Sequence, residues 1–134
     1  MSKILLVDDE HQFRADLARR LNLRNYETVE AGNGDYAIKL VRADNDIDVV
    51  LLDLKMPGIS GERTLAEIKK YRPAVQVIML TGQGSMASAM ETGRLEAFSY
   101  LEKPCELDQL IKTIEEARED RPHLMARHEI PHVP

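Results

Sequence analysis

The chain has no Trp, only two Phe and four Tyr, a single Cys, and no apolar run long enough to cross a bilayer. Each scarcity removes a class of function. Aromatics at 4% leave no base-stacking platform of the kind that single-stranded nucleic acid requires. Lys and Arg total 18 against 23 Asp and Glu, a formal charge of -5, and the basic residues are dispersed over helix surfaces. Direct binding to nucleic acid or to an anionic membrane is therefore not expected. Cys105 stands alone, so no internal disulfide forms, and it reads as a small turn residue after Pro104 in a reducing compartment. Met1-Ser2-Lys3 leads straight into strand-like sequence instead of a signal peptide, and a cytoplasmic location is expected. What remains, 134 residues at 43% hydrophobic and 31% charged, is material for one ordinary globular domain.

Short β-rich apolar stretches alternate with segments of helical period, which reads as five βα pairs around a parallel sheet. The first strand covers Lys3 to Val7, and Phe13, Leu17 and Leu21 mark the buried stripe of the first helix. Tyr26 to Ala31 reads as the second strand, with Gly32-Asn33-Gly34 starting a helix lined by Ala37, Leu40 and Val41. Ile47 to Leu52, apolar almost throughout, suits a central strand covered on both faces. Pro57-Gly58 breaks the chain, Ser60 caps a helix carrying Leu65 and Ile68 inward, and Pro73 stops it. Val75 to Leu80 is the fourth strand, Ser85 to Arg94 a weakly marked fourth helix, and Ala97 to Glu102 the fifth strand. Leu107, Leu110, Ile111 and Ile114 form the clearest helical stripe. The domain is expected over residues 1–120, and residues 121–134, with three Pro and three His and no period, read as a flexible C-terminal tail.

Four apolar runs end on chemically loaded residues: Asp8-Asp9, Asp53, Thr81, and Lys103-Pro104. Parallel strands would bring all four endings to one sheet edge, where open α/β folds bind their ligands. Converging carboxylates repel unless a cation neutralises them, and oxygen-only ligands suit Mg²⁺. His11, the nearest nitrogen donor by sequence, reads as a solvated residue at a helix start.

On these residues the chain resembles the receiver domain of two-component response regulators, from the first strand through the last predicted helix. The acidic pair, Asp53-Leu54-Lys55-Met56-Pro57-Gly58, Thr81, and Tyr100-Leu101-Glu102-Lys103-Pro104 occur together, in order and suitably separated. The resemblance implies a doubly wound, flavodoxin-like five-stranded parallel sheet of order 2-1-3-4-5 with helices on both faces. It implies that Asp53 accepts a phosphoryl group from a histidine kinase or a His-containing phosphotransfer protein. Asp9 and Asp53 would hold Mg²⁺ directly, Asp8 through water, and the backbone carbonyl of Lys55 would complete the set. Lys103 would pair with Asp53 and then with the phosphoryl oxygens, Thr81 would hydrogen-bond one of them, and Lys103-Pro104 would be cis. Tyr100 occupies the place of an aromatic switch that turns inward when Thr81 moves; a ring that simply packs has the same sequence.

Lys55 and Gln83, two residues beyond Asp53 and Thr81, are candidates for setting the lifetime of the phosphorylated state, against a reading as solvated loop residues. Glu96-Ala97 departs from the family's frequent Gly-Ala, Gly93 offers an earlier helix end, and Gly82 stands where relatives often carry Ala or Ser. Met86, Met90, Leu95 and Ala97 form either an adaptable partner patch or core. His123, His128 and His132 are too irregularly spaced for a metal site. A Mg²⁺-dependent aspartyl-phosphate phosphatase acting on external substrates is a competing reading, disfavoured because haloacid dehalogenase-like enzymes need Asp-x-Asp where this chain has Asp53-Leu54-Lys55. A phosphorylation-independent adaptor would be favoured by loss of acidic or Lys positions, and all are retained. The expected output is docking to a downstream target protein, from a stand-alone module or the front end of a longer regulator; homodimers through the fourth helix, fifth strand and fifth helix are common in the family.

Overall fold

A computed structural model of the chain describes residues 2–82 and 97–129, with residue 81 and residues 121–129 described by backbone alone. Five strands, β1 (Lys3–Val7), β2 (Glu27–Ala31), β3 (Ile47–Leu52), β4 (Gln76–Thr81) and β5 (Ser99–Glu102), form one sheet. Its order is β2-β1-β3-β4-β5 and every neighbouring pair is parallel. Four helices are described: α1 (His11–Leu23), α2 (Gly34–Ala43), α3 (Gly61–Tyr71) and α4 (Leu107–Glu129). The helix expected over Ser85 to Arg94 lies outside the described residues, as do Met86, Met90, Leu95, Gly93 and Glu96.

Strand alternation divides the core in two. Leu5, Val7, Val50, Leu52, Val77 and Met79 point to the face covered by Ala37 and Val41 of α2 and Leu65 and Ile68 of α3. Ile4, Leu6, Val49, Leu51, Ile78 and Leu80 point to the other, against Leu17, Ala18 and Leu21 of α1 and Leu110, Ile114 and Ala117 of α4. This is why β3 is buried at all six positions and gives no alternating pattern. A register shift between Lys3 and Ile4 against β3 leaves Asp48 as the extra residue, and below it Ile47 joins the α2/α3 layer although Val49 faces the other way.

Local chemistry sets the helix starts. Asn33 accepts the Tyr36 N–H at 2.8 Å and Ser60 accepts the Arg63 N–H at 3.1 Å, each cap stabilising its helix by about 1 kcal/mol. Gly58 has φ of +82°, a left-handed turn that Pro57-Gly58 supplies cheaply. Pro73 follows the end of α3 as expected.

α4 runs on to Glu129, so the backbone of residues 121–129, within the expected tail, is helical. Pro122 removes one backbone donor, a local loss, while Leu124, Met125, Ala126 and Arg127 are good helix formers that the local Pro and His content obscured. Residues 130–134 lie outside the description. Among the described residues no helix is long and apolar enough to cross a membrane.

Candidate functional site

The strand order reverses between β1 and β3, and the crevice beyond their carboxyl ends is where such sheets bind ligands. Asp8 and Asp9 follow β1 directly, and Asp53 follows β3. The Asp8 N–H donates to the Ala31 carbonyl at 3.2 Å and the Asp53 N–H to the Val7 carbonyl at 3.0 Å, so both carboxylates continue the sheet's own bonding. Asp8 and Asp53 are buried and Asp9 is exposed, and each offers a carboxylate oxygen within 4.8 Å of the others. An oxygen-only set of this size fits a hard divalent cation such as Mg²⁺.

Lys103, after β5, extends back across the sheet edge to these acids, and Lys103-Pro104 is cis as expected. Its ammonium donates to Asp8 Oδ2 at 2.6 Å, while Asp53 Oδ2 and Glu10 Oε1 stand at 3.7 Å, too far for a hydrogen bond. Asp8, not Asp53, is thus its hydrogen-bonding partner. The remaining Asp8 oxygen, Oδ1, accepts the Glu10 N–H at 2.9 Å, so Asp8 enters the site with both oxygens already engaged. Burial pushes the Asp53 carboxyl above its ordinary pKa; the Lys103 charge opposes that rise and Asp8 adds to it. Burial alone would lower the Lys103 pKa, but the Asp8 hydrogen bond and the Asp53 and Glu10 charges outweigh it and leave it raised.

The loop after β3 is held by a close approach. Gly61, the first residue of α3, donates its N–H to the Leu54 carbonyl at 2.9 Å, and a Cβ there would lie 2.3 Å from the Asp53 carbonyl oxygen. Only glycine lets α3 start against the backbone of Asp53. Gly82 has no such constraint, since a Cβ there would meet nothing within 4 Å.

The other expected residues fall as follows. Thr81 ends β4 in register with Glu102, its side chain outside the description. The Tyr100 ring is partly buried against the α2/α3-side core, and burial, with the Glu62 charge, raises its phenol pKa. The Lys55 side chain is exposed, and its backbone N–H hydrogen-bonds Asp53. Gln83 lies outside the described residues. His11 is exposed, with Nδ1 3.1 Å from Arg14 Nη2, and does not join the acidic group.

Three contributors were missed. Glu10 adds a further carboxylate beside Lys103, a signal present in the Asp8-Asp9-Glu10 triplet. Arg14 donates to the Asp8 carbonyl at 2.6 Å and pairs with Glu30 at 2.9 Å, bracing the end of β1. Phe13 places its ring centroid 4.3 Å from the Lys103 ammonium, a role hidden because the residue also completes a helical apolar stripe.

The sequence model of the response regulator receiver domain family matches residues 4–115. Among curated relatives, the sporulation initiation phosphotransferase F of Bacillus subtilis is 34% identical over 81% of this chain and 86% of its own length. The regulatory protein AtoC of Escherichia coli is 37% identical over 87% of this chain, but over only 25% of its own length. The chain spans about a quarter of the transcriptional regulators it matches, one of which is named as DNA-binding, so the expected lack of a nucleic acid partner finds no support there. Among solved structures, a response regulator receiver domain protein from Clostridium thermocellum superposes with a TM-score of 0.86 at 34% identity, covering 92% of this chain and 99% of that one. The response regulator TrrA of Thermotoga maritima, in complex with Mg²⁺ and BeF, gives 0.78 at 34% identity over 87% of this chain and 99% of that one.

Proposed function

The chain belongs to the response regulator receiver domain family of two-component systems, and we propose that it is a phosphorylation-controlled switch whose phosphoacceptor is Asp53. The observation that carries this reading is the convergence of Asp8, Asp9 and Asp53 within 4.8 Å, with the Lys103 ammonium bridging Asp8 and Asp53. Mg²⁺ held by Asp9, Asp53 and the Lys55 carbonyl, with Asp8 behind it, would supply positive charge against the phosphoryl oxygens.

The chain's own residues do the rest. An Asp53 carboxylate oxygen attacks phosphorus in line; its O–P bond forms as the P–N bond of a partner's phosphohistidine breaks and the imidazole leaves. Burial keeps bulk water from competing, and Lys103 offsets charge on the acceptor before transfer and on the phosphoryl oxygens after it. The label turns a singly charged carboxylate into an acyl phosphate, a net gain of about one negative charge together with strong acceptor oxygens, enough to draw the Thr81 hydroxyl and its loop inward and free Tyr100 to repack. Lys55 and Gln83 then govern water access, and the decay of the Asp53 label in the Lys55→Ala, Gln83→Ala double variant measures their part. A histidine kinase or phosphotransfer protein upstream, a downstream target protein and a cytoplasmic setting complete the proposal. Homodimerisation through β5, α4 and the segment between β4 and β5 belongs to it as well.

The test is incubation with Mg²⁺ and acetyl phosphate. The wild type gains the mass of one phosphoryl group, and Asp53→Asn or excess chelator abolishes the gain. A wild-type label on another residue would reject Asp53 as the acceptor.

A further inference from the structure

We propose that Phe13 is a positioning residue for Lys103, its ring holding the ammonium over the site by a contact that does not compete with a bound cation. The inference rests on the reading of Asp53 as phosphoacceptor and deepens it.

Among the described residues the ammonium has one hydrogen-bond partner, Asp8 at 2.6 Å, with Asp53 and Glu10 as purely Coulombic neighbours at 3.7 Å. Asp8 and Asp53 are also two of the three groups suited to a divalent cation. A cation drawing on those two carboxylates weakens the attractions of Asp8 and Asp53 for Lys103 at the stage when its charge is needed, and leaves the exposed Glu10 at 3.7 Å as a screened one. The Phe13 ring is a shielded neighbour that also escapes this conflict, because its attraction for an ammonium comes from the quadrupole of a neutral group. Phe13 is itself anchored: it lies on α1 one turn before Leu17 and packs on the α1/α4 core. The Lys103 side chain is 15% exposed, so the contact is largely shielded from water, where cation–π attraction is strongest.

A residue that merely packs would occupy the same place, so the test separates the two. The full-length chain is compared with Phe13→Leu, which keeps apolar bulk, and Phe13→Tyr, which keeps the ring face. In the metal-free protein, NMR of the Lys103 Hε protons shows an upfield ring-current shift in wild type and Phe13→Tyr that vanishes in Phe13→Leu. With Mg²⁺ and acetyl phosphate, Phe13→Leu slows Asp53 labelling about five- to thirty-fold, the range for a desolvated cation–π contact, and Phe13→Tyr stays within about twofold of wild type. Phe13→Leu lowers the urea midpoint more in the wild-type background than with Lys103→Met, where only its packing is lost, and the difference is the mark of a coupled pair. An unshifted Lys103 in wild type, an equal midpoint loss in both backgrounds, or unchanged labelling in Phe13→Leu each overturns the proposal. Failure of the wild type to label Asp53 at all would instead reject the functional reading, while the shift and the midpoints still decide whether Phe13 holds Lys103.

Discussion

Replacing Lys103 by Met keeps the length of the side chain and removes its charge, which makes the arrangement around Asp8 measurable. Coulomb's law at an effective dielectric near 20 gives a gross attraction of about 6 kcal/mol for the 2.6 Å contact with Asp8 and about 4.5 kcal/mol for Asp53 at 3.7 Å. The exposed Glu10 at 3.7 Å adds about 1 kcal/mol under near-bulk screening. Most of this is offset by taking the ammonium out of water, and removal of one partner of a buried pair costs about 3 to 5 kcal/mol net. That is a large part of a typical domain's stability, and Tm falls by roughly 10–20 °C in the absence of metal. Mg²⁺ reverses the loss. With no ammonium engaging Asp8 or repelling the cation, the acidic triad binds Mg²⁺ at least about tenfold more tightly, a difference of about 1.4 kcal/mol. The chain has no Trp, so urea denaturation followed by far-UV circular dichroism across a Mg²⁺ titration is the assay. The midpoint rises with the logarithm of Mg²⁺ concentration, from a lower start and at lower concentrations than in wild type. A metal-free midpoint equal to wild type, or unchanged Mg²⁺ affinity, would refute the electrostatic account of this site.

Gly61→Ala places a methyl group 2.3 Å from the Asp53 carbonyl oxygen, so the backbone must give way; it destabilises by about 1 to 3 kcal/mol and slows Asp53 labelling in folded protein, whereas Gly82→Ala changes the unfolding free energy from urea denaturation by less than about 0.5 kcal/mol. For Asp53→Asn the direction follows from the raised carboxyl pKa: the stability tied to the protonated form is present below the ordinary carboxylate value and lost as pH rises through the raised one. At neutral pH without metal the charged Asp53 is therefore a burden, and Asn raises the urea midpoint, an advantage that fades in acid and disappears in saturating Mg²⁺. Tyr26 donates its hydroxyl to Glu115 at 2.6 Å, and burial, with that bond, raises its pKa to about 12. Its contribution is complete below about 10 and lost as pH climbs towards the raised value; ultraviolet titration shows a late tyrosine that Tyr26→Phe removes, while the raised Tyr100 remains, with a cost at neutral pH of about 1 kcal/mol.

Much of this geometry was legible in the residues, for reasons that differ by element. β1 and β3 have the bounds their apolar runs suggested, because a doubly covered strand has no use for polar positions. Asp8, Asp9, Asp53 and Lys103 converge because each follows a strand of one parallel sheet, so strand ends locate them without knowledge of packing. The choice of Asp8 over Asp53 as partner of Lys103 was not legible, since it turns on where the ammonium comes to rest, 2.6 Å from one and 3.7 Å from the other. Phe13 was read as core from its spacing, and periodicity cannot show what lies above the outer edge of a ring. The extra residue at Asp48 was hidden by an apolar run whose two faces look alike. The Pro and His content from Arg121 onward masked the helical continuation of α4 to Glu129.

The Lys103–Asp8 contact joins residues 95 positions apart, one after the first strand and the other after the last. A nascent or misfolded chain whose final strand has not docked lacks that ammonium, and its carboxylates face one another without it. With Asp53 as the proposed acceptor, readiness to be labelled would thus come only with completion of the fold.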